Sequence, residues 1–276
     1  MSKVAAIQMA SAPQRDTNLM EAERLIQAAK HQGAELIVLP ENFPIMGMQE
    51  TDKIDIREPY GSGPIQNFLH EQAKKHKVWI VAGTIPIEAT DDNKILAASL
   101  LYNSAGEVVA RYDKIHLFDV ELEGEESYKE SETIEYGSDL VVADTPFGKL
   151  GLAICYDLRF PEMFRQLIDM GAEIIAIPAA FTATTGKAHW EVLVRARAVE
   201  NLCYVIAANQ GGFHFNGRST YGDSMVVDPW GNVLNRLSQG AGVVIAEIDL
   251  ERMQHTRRTF PLSLIHISEP TRRSVI

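Results

Sequence analysis

The sequence predicts an α/β fold: a four-layer α-β-β-α sandwich made of two related β-α-β halves. Three observations carry that expectation. Short apolar runs of strand length alternate with helical patterns along the chain. The segment Gly33–Ala34–Glu35–Leu36–Ile37–Val38–Leu39–Pro40 recurs as Gly171–Ala172–Glu173–Ile174–Ile175–Ala176–Ile177–Pro178, and each copy follows a helix that follows a strand. No stretch rich in Pro, Gly or Ser divides the chain. Two such halves, each with one sheet and one layer of helices, bury both sheets when they pack face to face.

The first half opens on the strand-like run Val4–Ala10. Asp16 is expected to cap a helix with Leu19, Ala22, Leu25, Ile26 and Ala29 on one face and Gly33 as its stop. Glu35–Pro40 reads as a short buried strand, with Glu41 at its carboxyl end, where open sheets place ligand groups. Residues 44–62 read as a loop. A helix over Pro64–Lys77 leads to a strand at 78–83. Ala98–Tyr102 and Val108–Tyr112 flank a Gly-containing turn and read as a hairpin. Lys114 follows at once. Residues 121–135 carry seven glutamates and form a polar excursion.

In the second half, Leu140–Asp144 and the turn 145–148 lead to a run ending at Cys155. Pro161 and Glu162 suit the first turn of a helix that ends by Gly171. Glu173–Ile177 is a strand, His189 opens a helix to Asn201, and Cys203–Asn209 is again a strand. Gly217–Tyr221 reads as a connecting loop, residues 225–234 as a hairpin, and Val243–Ile248 as the last strand. The stretch Leu262–Arg272 matches the translated frame of a transposase adapter used in sequencing libraries. Residues 1–261 are therefore read as one domain, and residues 262–276 are set aside as a non-native tail.

Composition bounds the function. The chain has 276 residues, 46% hydrophobic and 23% charged, the make-up of an ordinary globular protein. Its 26 basic and 37 acidic residues leave a net charge of −11, which argues against nucleic acid as a partner. Two cysteines make no disulfide framework and point to a reducing compartment. With no leader pattern and no apolar run of membrane length, the expectation is a soluble, cytoplasmic protein without a membrane partner.

The chemistry centres on Cys155. It stands between a buried strand and a helix start, the position of a nucleophile elbow with sulfur in place of oxygen. A helix N-terminus there is expected to lower the thiol pKa. Cys203, inside an apolar run, reads as a core residue. Asp113, His116 and Asp119 complete no ligand shell, so neither a metal nor another cofactor is expected.

Three blocks carry a resemblance: Leu39–Pro40–Glu41–Asn42, Tyr112–Asp113–Lys114–Ile115–His116–Leu117–Phe118–Asp119, and Gly151–Leu152–Ala153–Ile154–Cys155–Tyr156–Asp157. In this order and at these separations, the chain resembles the carbon–nitrogen hydrolases of the nitrilase superfamily. The resemblance implies the same α-β-β-α sandwich, assembly into homodimers or larger homo-oligomers, and a Glu–Lys–Cys triad at Glu41, Lys114 and Cys155. It also implies a second glutamate at Glu130. In that scheme Glu41 is the general base and Cys155 the nucleophile. Lys114 and the backbone N–H of Tyr156 stabilise the oxyanion, and Glu130 positions Lys114.

Residues 181–190 and 219–224 resemble the branch that contains the deaminated-glutathione amidases and the ω-amidases. The implied substrate is a small 2-oxo acid amide bearing carboxylates, for which Lys187, His214 and Arg218 are the candidate cationic contacts. Asp223 departs from the branch, which often has His after Tyr–Gly. An ω-amidase, an N-carbamoyl amide hydrolase and an inactive binding scaffold of the same fold remain open alternatives at this stage.

Overall fold

A computed structural model of the chain describes residues 1–121 and 127–262. The tail from residue 263 onward and Glu123, Glu125 and Glu126 of the polar excursion lie outside the described residues.

The first half contains β1 (Ser2–Gln8), α1 (Arg15–His31), β2 (Leu36–Val38), α2 (Asp52–Asp55), α3 (Pro64–His76), β3 (Trp79–Val81), β4 (Ile85–Glu88), β5 (Ile95–Tyr102), β6 (Val108–Asp113), β7 (Asp119–Glu121), β8 (Ser127–Lys129) and β9 (Ile134–Glu135). The second contains β10 (Val142–Thr145), β11 (Gly148–Leu152), α4 (Pro161–Asp169), β12 (Ile174–Ala179), α5 (Ala183–Asn201), β13 (Tyr204–Asn209), β14 (Gly211–Phe213), β15 (Ser219–Tyr221), β16 (Ser224–Val227), β17 (Val233–Leu237), β18 (Gly242–Ile248) and α6 (Leu250–Thr259).

The two large sheets run β18-β1-β2-β3-β5-β4, with β6 and β9 also on β5, and β10-β11-β12-β13-β16-β17. The central strands β1, β2 and β3 are parallel, as are β11, β12 and β13. Parallel neighbours need a crossover, and α1, α3, α4 and α5 supply it. The strand period of two then sorts side chains between layers. Val4, Ala6, Leu36, Val38 and Val81 belong to one core cluster with Leu152 and Ile174 of the other sheet. Their alternates Ala5, Ile7, Ile37 and Ile80 pack beneath Leu25 and Ile26 of α1 and Ile65 and Leu69 of α3. Phe164 and Leu167 of α4 and Trp190 and Val194 of α5 join the second sheet's side of the core. The result is the four-layer sandwich, helices outside and sheets within.

The internal echo is a structural repeat. Gly33 and Gly171 both have positive φ, 92° and 98°. At each, an added Cβ would sit 3.2 Å from a lysine Cδ, that of Lys3 in one half and Lys149 in the other. The next backbone bond also recurs: Glu35 N–H donates to Lys3 O at 2.9 Å, and Glu173 N–H to Lys149 O at 2.8 Å. The last strand, β18, returns to the first sheet and pairs antiparallel with β1 along its whole length, tying the halves together.

Several boundaries differ from the sequence reading. Asp16 lies in the first turn of α1, and the cap position is Gln14, without a side-chain bond. The reason is Asn18, which is buried and holds both backbone groups of Ala12 at 2.7 Å. The helix α5 begins at Ala183, not His189, because the Thr182 hydroxyl caps it by accepting from Thr185 N–H. Residues 219–221 form a strand against 211–213 rather than a plain loop. Helices α2 and α6 and strand β4 were not anticipated. Asp249 caps α6 by accepting from Arg252 N–H.

Candidate active site

Strand β11 ends at Leu152, three residues before Cys155, which opens a short 3-10 turn, Cys155–Arg159. Cys155 has φ 44°, a left-handed conformation that costs a residue with a Cβ about 1 kcal/mol or more. Asp157 holds the turn. It is fully buried, and its carboxylate accepts from Ile154 N–H at 2.8 Å, Tyr112 O–H at 2.7 Å, and His116 N–H at 3.1 Å. The His116 ring, stacked on Phe160, meets the same carboxylate through Nδ1 at 2.7 Å. Tyr112 and His116 flank Lys114, so one buried carboxylate sets the cysteine turn against the lysine segment.

Lys114 is 1% exposed, too deep for an unpaired ammonium. Its Nζ donates to Glu41 Oε1 at 2.7 Å and to both oxygens of Glu130, at 2.9 and 2.8 Å. Burial works against the ammonium, yet Glu130 and Glu41 outweigh it and hold the lysine above its ordinary range. Burial likewise works against the Glu130 carboxylate, and Lys114 and Lys53 more than compensate, holding it below the usual carboxylate range. Glu130 also accepts from Phe118 N–H at 2.7 Å. Glu41 follows β2 after Leu39 and Pro40. Its carbonyl accepts from Gln210 Nε2 at 3.0 Å, and the next N–H, of Asn42, donates to Thr84 Oγ1 at 2.8 Å.

The Cys155 thiol is pushed well up, by burial first and then by the Glu41 charge. Lys114 and the Ala180 backbone act in the opposite direction without reversing it. This corrects the expectation of a lowered thiol. The turn after Cys155 is a single 3-10 stretch with little dipole, while the thiol is buried and lies beside a carboxylate.

Cys155, Glu41 and Glu130 line one pocket, together with Phe118, Tyr156, Arg159, Ala180, Phe181, Thr182, Thr185 and Arg218. Two of the four nominated substrate contacts, Tyr156 and Arg218, are in that lining. The other two are elsewhere. Lys187 is exposed on α5. His214 is buried, with Nδ1 on Ser11 O and Nε2 on Thr220 Oγ1, at 2.9 and 2.8 Å. A histidine with both ring nitrogens engaged has none left for substrate. Asp223, the departure from the branch pattern, is also away from the pocket. It pairs with Arg236, and its carbonyl accepts from Trp190 Nε1 at 2.7 Å.

Sequence reasoning missed Arg159, Thr182 and Thr185. Arg159 lies four residues after Cys155, and its guanidinium lies 5.7 Å from the Tyr156 ring centroid and 5.3 Å from that of Phe181. Being the first cation after the elbow was the available signal. Among the described residues, no group of three or more His, Cys, Asp or Glu side chains is placed to hold a metal ion. No described helix is long and apolar enough to cross a membrane.

A pocket that sets a strained cysteine near an ammonium and two carboxylates, inside an α-β-β-α sandwich, defines a class to which known proteins can be compared. The carbon–nitrogen hydrolase family profile matches residues 3–258. The chain is 44% identical over 265 residues to the deaminated glutathione amidase of Synechocystis sp., covering 95% of this chain and 96% of that one. It is 41% identical to the human deaminated glutathione amidase, covering 94% and 80%. Among solved structures, Nit3 of Saccharomyces cerevisiae, a member of branch 10 of the nitrilase superfamily, is similar with TM-score 0.85 and 32% identity, covering 95% of each chain. The Caenorhabditis elegans NitFhit protein gives TM-score 0.88 at 38% identity, covering 95% of this chain and 64% of that one. The chain belongs to the carbon–nitrogen hydrolase family, within the nitrilase superfamily. It is an amidase, a hydrolase of non-peptide carbon–nitrogen bonds.

Proposed function

We propose that the protein hydrolyses the amide bond of a small, carboxylate-bearing 2-oxo acid amide of the deaminated-glutathione type, through a thioester on Cys155. Residues 1–261 act as one catalytic domain in this reading. The observation that carries it is the burial of Lys114 between Glu41 and Glu130 at the wall of the pocket that Cys155 lines. Such a cluster is costly to bury and of little use to stability alone.

The raised thiol fits a nucleophile that is neutral at rest and is deprotonated only as it attacks. The Sγ proton passes to Glu41 while Sγ bonds to the amide carbon and the carbonyl electron pair moves to oxygen. Lys114 and the N–H of Tyr156 meet that oxyanion, a contribution of about 10²–10³ in rate per donor in comparable sites. The carbon–nitrogen bond breaks, and the nitrogen leaves with the proton from Glu41. Water then attacks the thioester and gives a proton to Glu41. The carbon–sulfur bond breaks, and sulfur takes that proton back. Arg159 and Arg218 supply the cationic contacts for the substrate's carboxylate.

A panel of 2-oxo acid amides, with release of the 2-oxo acid as the readout and Cys155→Ala as the blank, tests this. The expected result is turnover of the panel by the wild type, none by the variant, and an acyl adduct on Cys155 in rapid-quench mass spectra. Turnover retained in Cys155→Ala sinks the proposal.

A further inference from the structure

We infer that Gln210 is a positioning residue for the reaction: its side chain fixes the backbone that carries Glu41, while its own backbone belongs to the Cys155 side of the site. The inference rests on the roles proposed above for Glu41 and Cys155 and goes beyond them.

The two reacting groups come from different sheets. Glu41 comes after β2 of the first sheet, and Cys155 after β11 of the second. Their separation therefore depends on what joins the strand ends of the two sheets. Gln210 stands at that seam, one residue past β13. It forms an isolated parallel bridge with Met9, one residue past β1. Its N–H donates to Ala179 O at 2.9 Å, and the next residue, Ala180, lines the pocket with Cys155.

The side chain reaches across to the first half. Gln210 is fully buried. Its Nε2 donates to Glu41 O at 3.0 Å and to Ser11 Oγ at 2.8 Å, and its Oε1 accepts from Ser11 N–H at 3.0 Å. These partners fix the orientation of the amide, because Ser11 N–H can only donate and Glu41 O can only accept. Ser11 Oγ donates onward to Phe43 O at 3.0 Å. One amide thus holds the carbonyls on both sides of Asn42, directly at Glu41 and through Ser11 at Phe43. Asn42 has φ 55°, a left-handed conformation that must be held in place. With Thr84 on its N–H, three successive residues of the Glu41 turn are fixed by side chains from elsewhere. Strand alternation sends the preceding side chain the other way. Asn209 Oδ1 accepts from Phe181 N–H at 3.0 Å, so two consecutive residues secure opposite walls of the pocket. Gln210 does not line the pocket itself, so it acts through Glu41 and not on substrate. A base must lie within hydrogen-bond reach of the proton it takes, and a misplacement of about 1 Å costs up to roughly 10²-fold.

The test is a double-mutant cycle on the 2-oxo acid amide that the wild type turns over fastest. Gln210→Met keeps the length and removes the amide. Its kcat should fall by about 10–100-fold, with KM changed by less than about threefold. In a Glu41→Gln background the same change should cost less than about threefold in kcat, because the group it positions is already gone. A purely structural role would lower kcat by the same factor in both backgrounds. Ser11→Ala, which removes only the hydroxyl relay to Phe43, carries the cycle if Gln210→Met does not fold, with kcat lower by about three- to tenfold. If Glu41→Gln turns over too slowly to compare, the pH midpoint of Cys155 alkylation by iodoacetamide completes the cycle. Gln210→Met, or Ser11→Ala in its place, should move that midpoint toward the Glu41→Gln value and move it no further in that background. Wild-type kcat in both variants, equal losses in both backgrounds, or an unmoved midpoint would overturn the role of Gln210 and leave the amidase reading intact. Full turnover in Glu41→Gln alone would overturn both.

Discussion

Asp157 and Tyr112 are joined by a 2.7 Å hydrogen bond across 45 residues of chain, and this bond fastens the cysteine turn to the segment that carries Lys114. Every donor around the Asp157 carboxylate is a group with a proton to give, including two backbone N–H groups. Asp157→Asn places an NH2 against one of these donors. It should cost about 2–3 kcal/mol in urea unfolding and slow turnover further through misplacement of the turn. A variant with wild-type stability and full activity would contradict this account of the site.

Glu41→Gln should move two properties in opposite directions. Turnover should fall by about 10²–10⁴ if Glu41 is the base, as proposed above. The Cys155 thiolate should nevertheless form at lower pH than in the wild type, because a charge that holds the proton on sulfur is removed while Lys114 remains. Thiolate absorbance followed against pH reads the second effect, and a thiolate that forms at higher pH in the variant would refute it.

The pH dependence of stability has a definite sign at Glu130. Lys114 holds this carboxyl below its ordinary value of 4.5, so its contribution is present above that value and is lost as pH falls through the depressed one. Thermal unfolding midpoints from neutral pH downward should show this loss in the wild type. Glu130→Gln should lower stability at neutral pH and flatten the acid limb.

Arg159→Lys should raise KM for carboxylate-bearing substrates by roughly 10–100-fold while changing kcat less. Lysine keeps the charge but loses the planar face that lies against Tyr156 and Phe181. An unchanged KM would remove Arg159 from the substrate's contacts.

Gly186→Ala tests how closely α5 meets β15. A Cβ there would lie 2.2 Å from Tyr221 Cβ, so the helix must shift. The expected cost is about 1–3 kcal/mol in thermal or urea unfolding, far more than a surface glycine replacement. A stabilised variant would show that the packing yields easily.

How much of this was legible before the coordinates depends on range. The repeated Gly–Ala–Glu–strand–Pro segment shows the two halves because it is local, and the glycine turns and backbone bonds obey short-range rules. Glu41, Lys114, Glu130 and Cys155 could be picked out through the family resemblance. Nothing in the spacing of Lys114 itself shows an ammonium buried at 1% exposure. The pocket wall was read less well for the same reason. His214 looks like a free cation in sequence, but its ring nitrogens are taken by residues 203 and 6 positions away. Lys187 sits in the right stretch yet on the outward side of a helix whose start was misjudged. Arg159 went unnoticed because its value comes from two rings that the fold brings to it.

The backbone at Cys155 has a further implication. A glycine would occupy that φ without strain, so loss of the sulfur there relaxes the fold. Asn42, Lys77, Leu202 and Asp223 share that left-handed posture, so what sets Cys155 apart from them is the carboxylate and the ammonium charge around its sulfur and not the torsion angle.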